Sequence, residues 1–544
     1  MNHVTLRDDL IAGLSGAIAG TPQAMAFALI AGIDPIYGLY TAIVSTVIGA
    51  LFGSSIFMTV GPTNALSLVV ASTLAGFDSV SGIERLFILT FLVGIFYVGF
   101  GVLHLGNLFR FVSNAVMTGF ITGAALLIIF GQLRYLNGYE PSGDVLLLRV
   151  LDWLLHLHLS DTYIVAISFM TAIIMLGLRR TRFRNLATLS GLLLASAVVV
   201  IFEWWSVTLV SDISMIPSGL PTPQLPDVAL AGDLIPAALA IAILGAVQSA
   251  ALVNTLPKTD GKQPHINRDF VGMGLGNLVG SFFQSMPACG SLSRTAVNVD
   301  AGARTRWANV FAGGFIALFL LAFGSAIEYV TLSALAVMLM SAAGSLIDLR
   351  EIRLVWEAAL SARIAMITTF TTALVLPIEY SIYVGVGLSL ILYLYSSAEE
   401  VNVIRLIPVE NDHFKVGPIP ETLPDQEVVI FSIQGHLYFA AIAKLERLLP
   451  DPNHAKGCIV IIRLRDSAFL ASTGIHFFER YDAALRQHGG RLILTGLSKP
   501  MLTQFRHATQ TFDQSNLFDA DEILLEGTRR AYNDAVQPML KSLS

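Results

Sequence analysis

Met286-Pro-Ala-Cys-Gly-Ser-Leu-Ser-Arg-Thr-Ala-Val-Asn298 sets proline, glycine, hydroxyls and one arginine inside a chain otherwise suited to lipid. A charge at the bilayer centre costs about 2.5–3.5 kcal/mol on insertion scales, and it is retained where a pathway or a ligand needs it. A guanidinium stays protonated at physiological pH, so the natural complement of Arg294 is an anion. The same group could instead tie carbonyls of an unwound strand or snorkel to the interface.

The composition around this stretch is that of a membrane protein. Of 544 residues, 54% are hydrophobic and only 13% charged, where soluble domains carry about 25% charged residues. Apolar runs of the length needed to cross a bilayer, about 20 residues, recur from Leu10 to about Ser397. Beyond them charges return, and strand-like runs alternate with amphipathic ones. The expected organisation is a membrane domain over 1–400, a linker over 401–425 and a cytoplasmic α/β domain over 426–544. The net charge of −6 is dispersed and argues for no nucleic-acid partner. Two cysteines, Cys289 and Cys458, suggest neither a disulfide framework nor a zinc site, and no cofactor is expected. Met1 to Asp9 lacks the pattern of a cleavable signal, so the stretch from Leu10 reads as a first true span.

Fourteen membrane segments are expected. They begin near Leu10, Ile36, Pro62, Glu84, Arg110, Ser160, Leu186, Ile235, Asp269, Cys289, Arg306, Thr331, Arg363 and Ser381. Cationic residues cluster in alternate loops: Arg110; Arg179, Arg180, Arg182 and Arg184; Lys258, Lys262 and Arg268; Arg304 and Arg306; Arg350 and Arg353. The proline-rich loop from Pro217 to Asp233 has none. The bias places the N-terminus and the tail in the cytoplasm.

The halves echo one another. Gly20-Thr-Pro-Gln23 is expected to interrupt the first span, and Gly61-Pro-Thr-Asn-Ala-Leu-Ser67 opens the third. Gly245-Ala-Val-Gln248 lies in the eighth span, and Gly290-Ser-Leu-Ser-Arg-Thr295 opens the tenth. Seven spans per half make the repeats inverted, and paired interrupted segments point to a transporter's binding site. A helix that starts at mid-membrane aims unpaired N–H groups at the break and behaves there like about half a positive charge. Two such ends and Arg294 make a field that attracts a small anion. Thr63, Asn64, Ser67, Ser291, Ser293 and Thr295 could donate hydrogen bonds without adding charge. Gln23 and Gln248 lie where substrate or a coupling ion could be held, and Gln248 cannot carry a proton. The series Gly94, Gly99, Gly101 and Gly272, Gly274, Gly276 reads as close helix contact. Glu84, Glu203, Glu328 and Glu379 fall near span ends and read as interfacial.

At these residues the chain resembles the sulfate permease (SulP) family, also called solute carrier family 26. The resemblance rests on Pro22-Gln-Ala-Met-Ala-Phe-Ala28, Tyr37-Gly-Leu-Tyr40, Gly61-Pro-Thr-Asn-Ala65, Gly272-Met-Gly-Leu-Gly-Asn277, Ser293-Arg-Thr-Ala-Val-Asn298 and Ala301-Gly-Ala-Arg-Thr305. It implies 7+7 inverted repeats divided into a mobile core (spans one to four and eight to eleven) and a gate (five to seven and twelve to fourteen). It also implies an anion held between spans three and ten by Ser293 and Arg294, elevator-type movement, a homodimer, and a cytoplasmic STAS domain open to a regulatory partner. The family's substrates include sulfate, bicarbonate, chloride, nitrate, oxalate and C4-dicarboxylates. Many members carry a glutamate where this chain has Gln248, which argues against sodium or proton coupling.

In the tail, strands are expected at Val428–Ile433, Leu437–Phe439, Ile459–Ile462 and Arg491–Thr495, with helices at Ala441–Leu449 and Thr473–Gln487. Gly435-His436 reads as a hairpin turn. Ala471-Ser-Thr-Gly474 stands where STAS domains often carry Asp-Ser-Thr-Gly, and Ser472 and Thr473 read as helix caps rather than phosphorylation sites. The expected function is secondary transport of a small inorganic or carboxylate anion, sulfate ahead of bicarbonate. Alternatives are an anion channel or voltage-responsive motor, a membrane-anchored STAS sensor, and a nucleobase permease, which a fixed arginine disfavours.

Overall fold

The computed structural model describes residues 3–75, 77, 79–111, 113–143, 146–181, 187–212, 219–257, 264–399, 401–409, 413–435, 437, 439–466, 470, 472–508, 512–520 and 525–543. Met1, Arg182, Arg184, Leu186, Pro217, Lys258, Lys262, His436 and Ala471, used in the reading above, lie outside them. The chain divides into two units, residues 1–389 and 390–544.

In the first half of the membrane part run α1 (His3–Ile30), α2 (Pro35–Phe52), β1 (Val60–Gly61), α3 (Asn64–Leu74), α4 (Ser79–Val102), α5 (Asn114–Gly131), α6 (Leu133–Asn137), α7 (Leu146–Leu155), α8 (Thr162–Arg179) and α9 (Ala187–Ile201). The second half holds α10 (Ala231–Thr255), α11 (Ile266–Phe282), β2 (Cys289–Gly290), α12 (Leu292–Asp300), α13 (Trp307–Ile327), α14 (Leu332–Gly344), α15 (Leu349–Glu357), α16 (Leu360–Val375) and α17 (Ile378–Glu399). Each expected apolar segment coincides with a helix. Among the described residues, eight helices are long and apolar enough to cross a membrane, and shorter apolar helices accompany them.

The helix pairings repeat when the halves are exchanged. α1 packs on α13 and α12, as α10 packs on α4 and α3. α2 packs on α13 as α11 packs on α4, α5 on α16 as α14 on α8, and α2 meets α11. The glycine series explains how close some pairs come. A Cβ on Gly94 would meet the carbonyl oxygen of Gly274 at 2.9 Å, and one on Gly274 would meet that of Gly94 at 2.9 Å. α4 and α11 therefore touch backbone to backbone, which only small residues permit. Around Gly99 there is open space, so it is not part of this contact.

The interruption expected in the first span is corrected. Gly20-Thr-Pro-Gln23 does not interrupt the first span, because α1 is continuous through Pro22. The Thr21 hydroxyl donates to the Ala17 carbonyl at 2.8 Å, so backbone polarity beside the proline is satisfied locally. The loops after the fifth and twelfth segments contain the short helices α7 and α15. Each turns several large apolar side chains outward, Leu148, Leu151 and Leu154 on α7 and Leu349, Leu354 and Trp356 on α15.

The second unit is a six-stranded sheet with helices: β3 (Asn402–Val409), β4 (His413–Gly417), β5 (Val428–Gln434), α18 (Phe439–Leu448), β6 (Ile459–Asp466), α19 (Ser472–Gln487), β7 (Arg491–Leu497), α20 (Lys499–Ala508), β8 (Leu517–Asp519) and α21 (Glu526–Leu543). Strand order is β4-β3-β5-β6-β7-β8. β3 pairs antiparallel with β4 and β5, and β5 to β8 run parallel. Central strands such as Val428-Val-Ile-Phe431 and Ile459-Val-Ile-Ile462 are apolar on both sides because both faces of the sheet are covered. Residues 402–409 and 413–417, expected within a linker, are strands of this sheet. Of the return strand expected at Leu437–Phe439, Tyr438 lies outside the described residues, and neither Leu437 nor Phe439 belongs to a strand of the sheet. β5 is already flanked by β3 and β6, Leu437 makes only an isolated bridge to Leu470, and Phe439 opens α18.

Candidate functional site

β1 and β2 pair antiparallel, Val60 opposite Gly290 and Gly61 opposite Cys289. Past this two-residue ribbon the chain starts α3 on one side and α12 on the other. The helix starts are set by Thr63 and Ser291, both extended and both without a side-chain cap to their helix. The first intrahelical bonds are Ser67 N–H to Thr63 O and Thr295 N–H to Ser291 O. The amides before them belong to the open first turn of each helix.

Arg294 lies in the first turn of α12, 3% exposed. Its side chain passes Gly20 of α1 and lies against Gly61. A Cβ on Gly20 would be 3.2 Å from Arg294 Cδ, and one on Gly61 would collide with the guanidinium. Arg294 Nη2 donates to the Pro62 carbonyl at 3.2 Å. Nε and Nη1 are buried without a hydrogen-bond partner. Among the described residues no carboxylate forms an ion pair with it. One edge of the guanidinium thus ties down the strand before α3, and two further nitrogens, Nε and Nη1, remain.

The other candidate residues fall into two groups. Thr63, Gln23, Gln248, Ser291 and Ser293 gather round the ribbon. The Ser293 hydroxyl donates to Gln23 Oε1 at 3.3 Å, and Ser291 Oγ lies 3.5 Å from Ser293 Oγ. Cys289 Sγ is 3.6 Å from Thr63 Oγ1 and 3.7 Å from Gln248 Oε1, so this thiol joins the two halves. Asn64, Ser67 and Thr295 spend polar atoms on local structure. Asn64 Oδ1 accepts from Ala65 N–H at 2.8 Å, and Ser67 Oγ donates to the Thr63 carbonyl at 2.8 Å. Thr295 Oγ1 accepts from Thr59 N–H at 3.0 Å, on the side of the incoming strand.

Further polar side chains hold the broken segments in place. Thr59 Oγ1 donates to Asn309 Oδ1 at 2.6 Å, while Asn309 Nδ2 donates to the carbonyls of Met58 at 3.2 Å and Ile56 at 3.3 Å. Asn298 Nδ2 donates to Phe57 O at 3.0 Å. On the other approach, Asn277 exchanges bonds with Ala288, Nδ2 to O at 2.9 Å and N–H to Oδ1 at 2.8 Å. Met286 N–H donates to Thr41 Oγ1 at 2.8 Å, and Gly290 N–H to Ser249 Oγ at 3.0 Å. These side chains replace the backbone partners that an unwound segment loses, as lipid-excluded irregular backbone requires. Asn277 and Asn298 lie in motifs already noted; Gly61 as a notch for the guanidinium, the Cys289 bridge and Asn309 did not stand out in the sequence.

At the chain level, residues 6–372 match the profile of the sulfate permease family, and residues 420–521 that of the STAS domain. Sulfate transporter 4.1, chloroplastic, of Arabidopsis thaliana is 30% identical, over 81% of this chain and 66% of its own. Murine solute carrier 26 family member A9, an anion transporter solved in its inward-facing state, superposes with TM-score 0.84 at 18% identity, covering 99% of this chain and 92% of its own. The transmembrane domain of the cyanobacterial bicarbonate transporter BicA superposes with TM-score 0.61 at 21% identity, covering 71% of this chain and 99% of its own.

Proposed function

The chain belongs to the sulfate permease family, and we propose that it carries sulfate across a cell membrane, with bicarbonate as the next candidate. Its coarser identity is a multi-pass anion transporter with a C-terminal STAS domain, not an enzyme. The proposed anion lies between the N-termini of α3 and α12, bound by Arg294 Nε and Nη1 and by first-turn amides. Thr63, Ser291, Ser293, Gln23 and Gln248 line it, with Asn64, Ser67 and Thr295 shaping the helix starts. One observation carries this reading: a buried arginine at the meeting of two uncapped half-helices, with two guanidinium nitrogens unpartnered. An ionised group buried without a counter-charge is costly, by several kcal/mol, and an anion offsets that cost.

The proposed cycle is elevator-like. α1–α4 and α10–α13 move as a core against a gate of α5–α9 and α14–α17, carrying the site between faces. The pairings of α1 with α13 and of α10 with α4 support a core that moves as one body. The N-terminus and STAS domain are proposed to be cytoplasmic and the protein a homodimer. Gln248 cannot ionise and is engaged by the Cys289 thiol, which favours exchange or uniport over proton symport. The test is uptake of labelled sulfate, bicarbonate, chloride and oxalate into proteoliposomes, with and without sodium and a pH gradient. Saturable sulfate uptake abolished by Arg294→Ala, with folding intact, is expected; unsaturated conductance, or unchanged uptake in the variant, contradicts the proposal.

A further inference from the structure

Tyr97 of α4 is completely buried, and its hydroxyl has no hydrogen-bond partner. Leaving a buried hydroxyl unpaired costs about 1–3 kcal/mol, so its position calls for an explanation.

Two neighbouring features place it beside the anion site. The extended chain before β2 runs along α4: Thr90 Oγ1, two helical turns before Tyr97, donates to the Ser285 carbonyl at 2.9 Å. At the far end, Tyr97 and Cys289 converge on Gly245, one turn before Gln248. A Cβ on Gly245 would lie 2.8 Å from Cys289 Cβ and would overlap the Tyr97 hydroxyl. Glycine at 245 therefore makes the room in which that hydroxyl sits against Cys289. On the ribbon, Gly61 and Cys289 are directly opposite, so their side-chain positions share one face. The Arg294 guanidinium fills the position at 61. Cys289 is thus flanked by the guanidinium on one side and the Tyr97 hydroxyl on the other.

We propose that Tyr97 is a specificity-determining donor of this site, giving its O–H to an oxyanion whose other oxygens are held by Arg294. This deepens the transport reading above and rests on it. A tetrahedral oxyanion presents acceptors in several directions and can meet both donors; a monatomic halide offers no second oxygen to reach the phenol. The site so built prefers sulfate-like anions over chloride or bromide.

The experiment measures sulfate uptake kinetics in proteoliposomes for wild type, Tyr97→Phe, Gly245→Ala and Arg294→Gln, with bromide as competitor and thermal unfolding as a control. Tyr97→Phe removes one oxygen and is expected to raise KM for sulfate about tenfold or more, the loss of one hydrogen bond to a charged partner. The maximal rate and the bromide inhibition constant stay unchanged, and the unfolding temperature without anion does not fall, since the phenylalanine leaves no unpaired hydroxyl. Gly245→Ala, whose methyl displaces the hydroxyl, has the same selectivity change. An unchanged sulfate KM in Tyr97→Phe, or parallel weakening of sulfate and bromide, overturns the proposal. If Arg294→Gln transports normally, the transport-site reading fails; if it loses uptake while Tyr97→Phe keeps its KM, only the role of Tyr97 fails.

Discussion

Replacing Gly61 with alanine adds one methyl group and no charge, yet it addresses the arginine directly. The new Cβ would overlap the Arg294 guanidinium, which must move and in moving release the Pro62 carbonyl, now held at 3.2 Å. The clash is with the far end of a long side chain rather than with backbone, so the fold can yield without unravelling. Overpacking of this kind costs about 1–3 kcal/mol. If that cost falls on anion binding, KM for the transported anion rises about 5- to 150-fold, since 1.4 kcal/mol is a factor of ten. Uptake kinetics in proteoliposomes supply the number, and thermal unfolding in detergent checks that stability is retained. A double-mutant cycle with Arg294→Gln sharpens the test, because Gly61→Ala has little left to disturb once the guanidinium is gone. An unchanged KM in Gly61→Ala, or equal effects in both backgrounds, would refute the idea that residue 61 acts by seating Arg294.

Asn309→Leu removes the partner of the Thr59 hydroxyl and of the Met58 and Ile56 carbonyls; stability should fall by at least about 2 kcal/mol, and a loss within measurement error would contradict the stapling role. In the STAS domain, burial pushes the Cys458 thiol up to about 11, with Glu427 and Asp425 adding to the shift. Between the ordinary thiol range and about pH 11 the unfolded chain sheds a proton that the folded domain keeps, so stability declines as pH rises through that window. Correspondingly, alkylation of Cys458 in the folded full-length chain at pH 8 should be slow and should accelerate on denaturation; rapid labelling without unfolding would contradict its burial.

The helical architecture was legible because apolar runs of bilayer length leave a strong imprint, and Ser293-Arg294-Thr295 stood out as polarity where lipid tolerates little. The geometry of the site was less so. Which hydroxyls face the ribbon depends on helix phase after the break, so Thr63 and Thr295 look alike in sequence although Thr295 turns to Thr59. Gly61 reads as a turn residue, and its use as a seat for a guanidinium shows only when a side chain 233 positions away arrives there. Pro22 signalled a break that did not occur, because neighbouring helices and the Thr21 hydroxyl keep α1 continuous. α7 and α15 are too short to register against the spans beside them. β3 escaped notice because Arg405 and Pro408 interrupt its apolar pattern, although its pairing with β5 fixes it in the sheet.

Selenate replaces sulfate with a heavier tetrahedral oxyanion that can be located directly. A structure determined with selenate, using anomalous scattering from selenium, is predicted to show one peak between the first turns of α3 and α12, within hydrogen-bond reach of Arg294 Nε or Nη1. A peak elsewhere in the membrane domain, with that position empty while selenate is transported, would contradict the account.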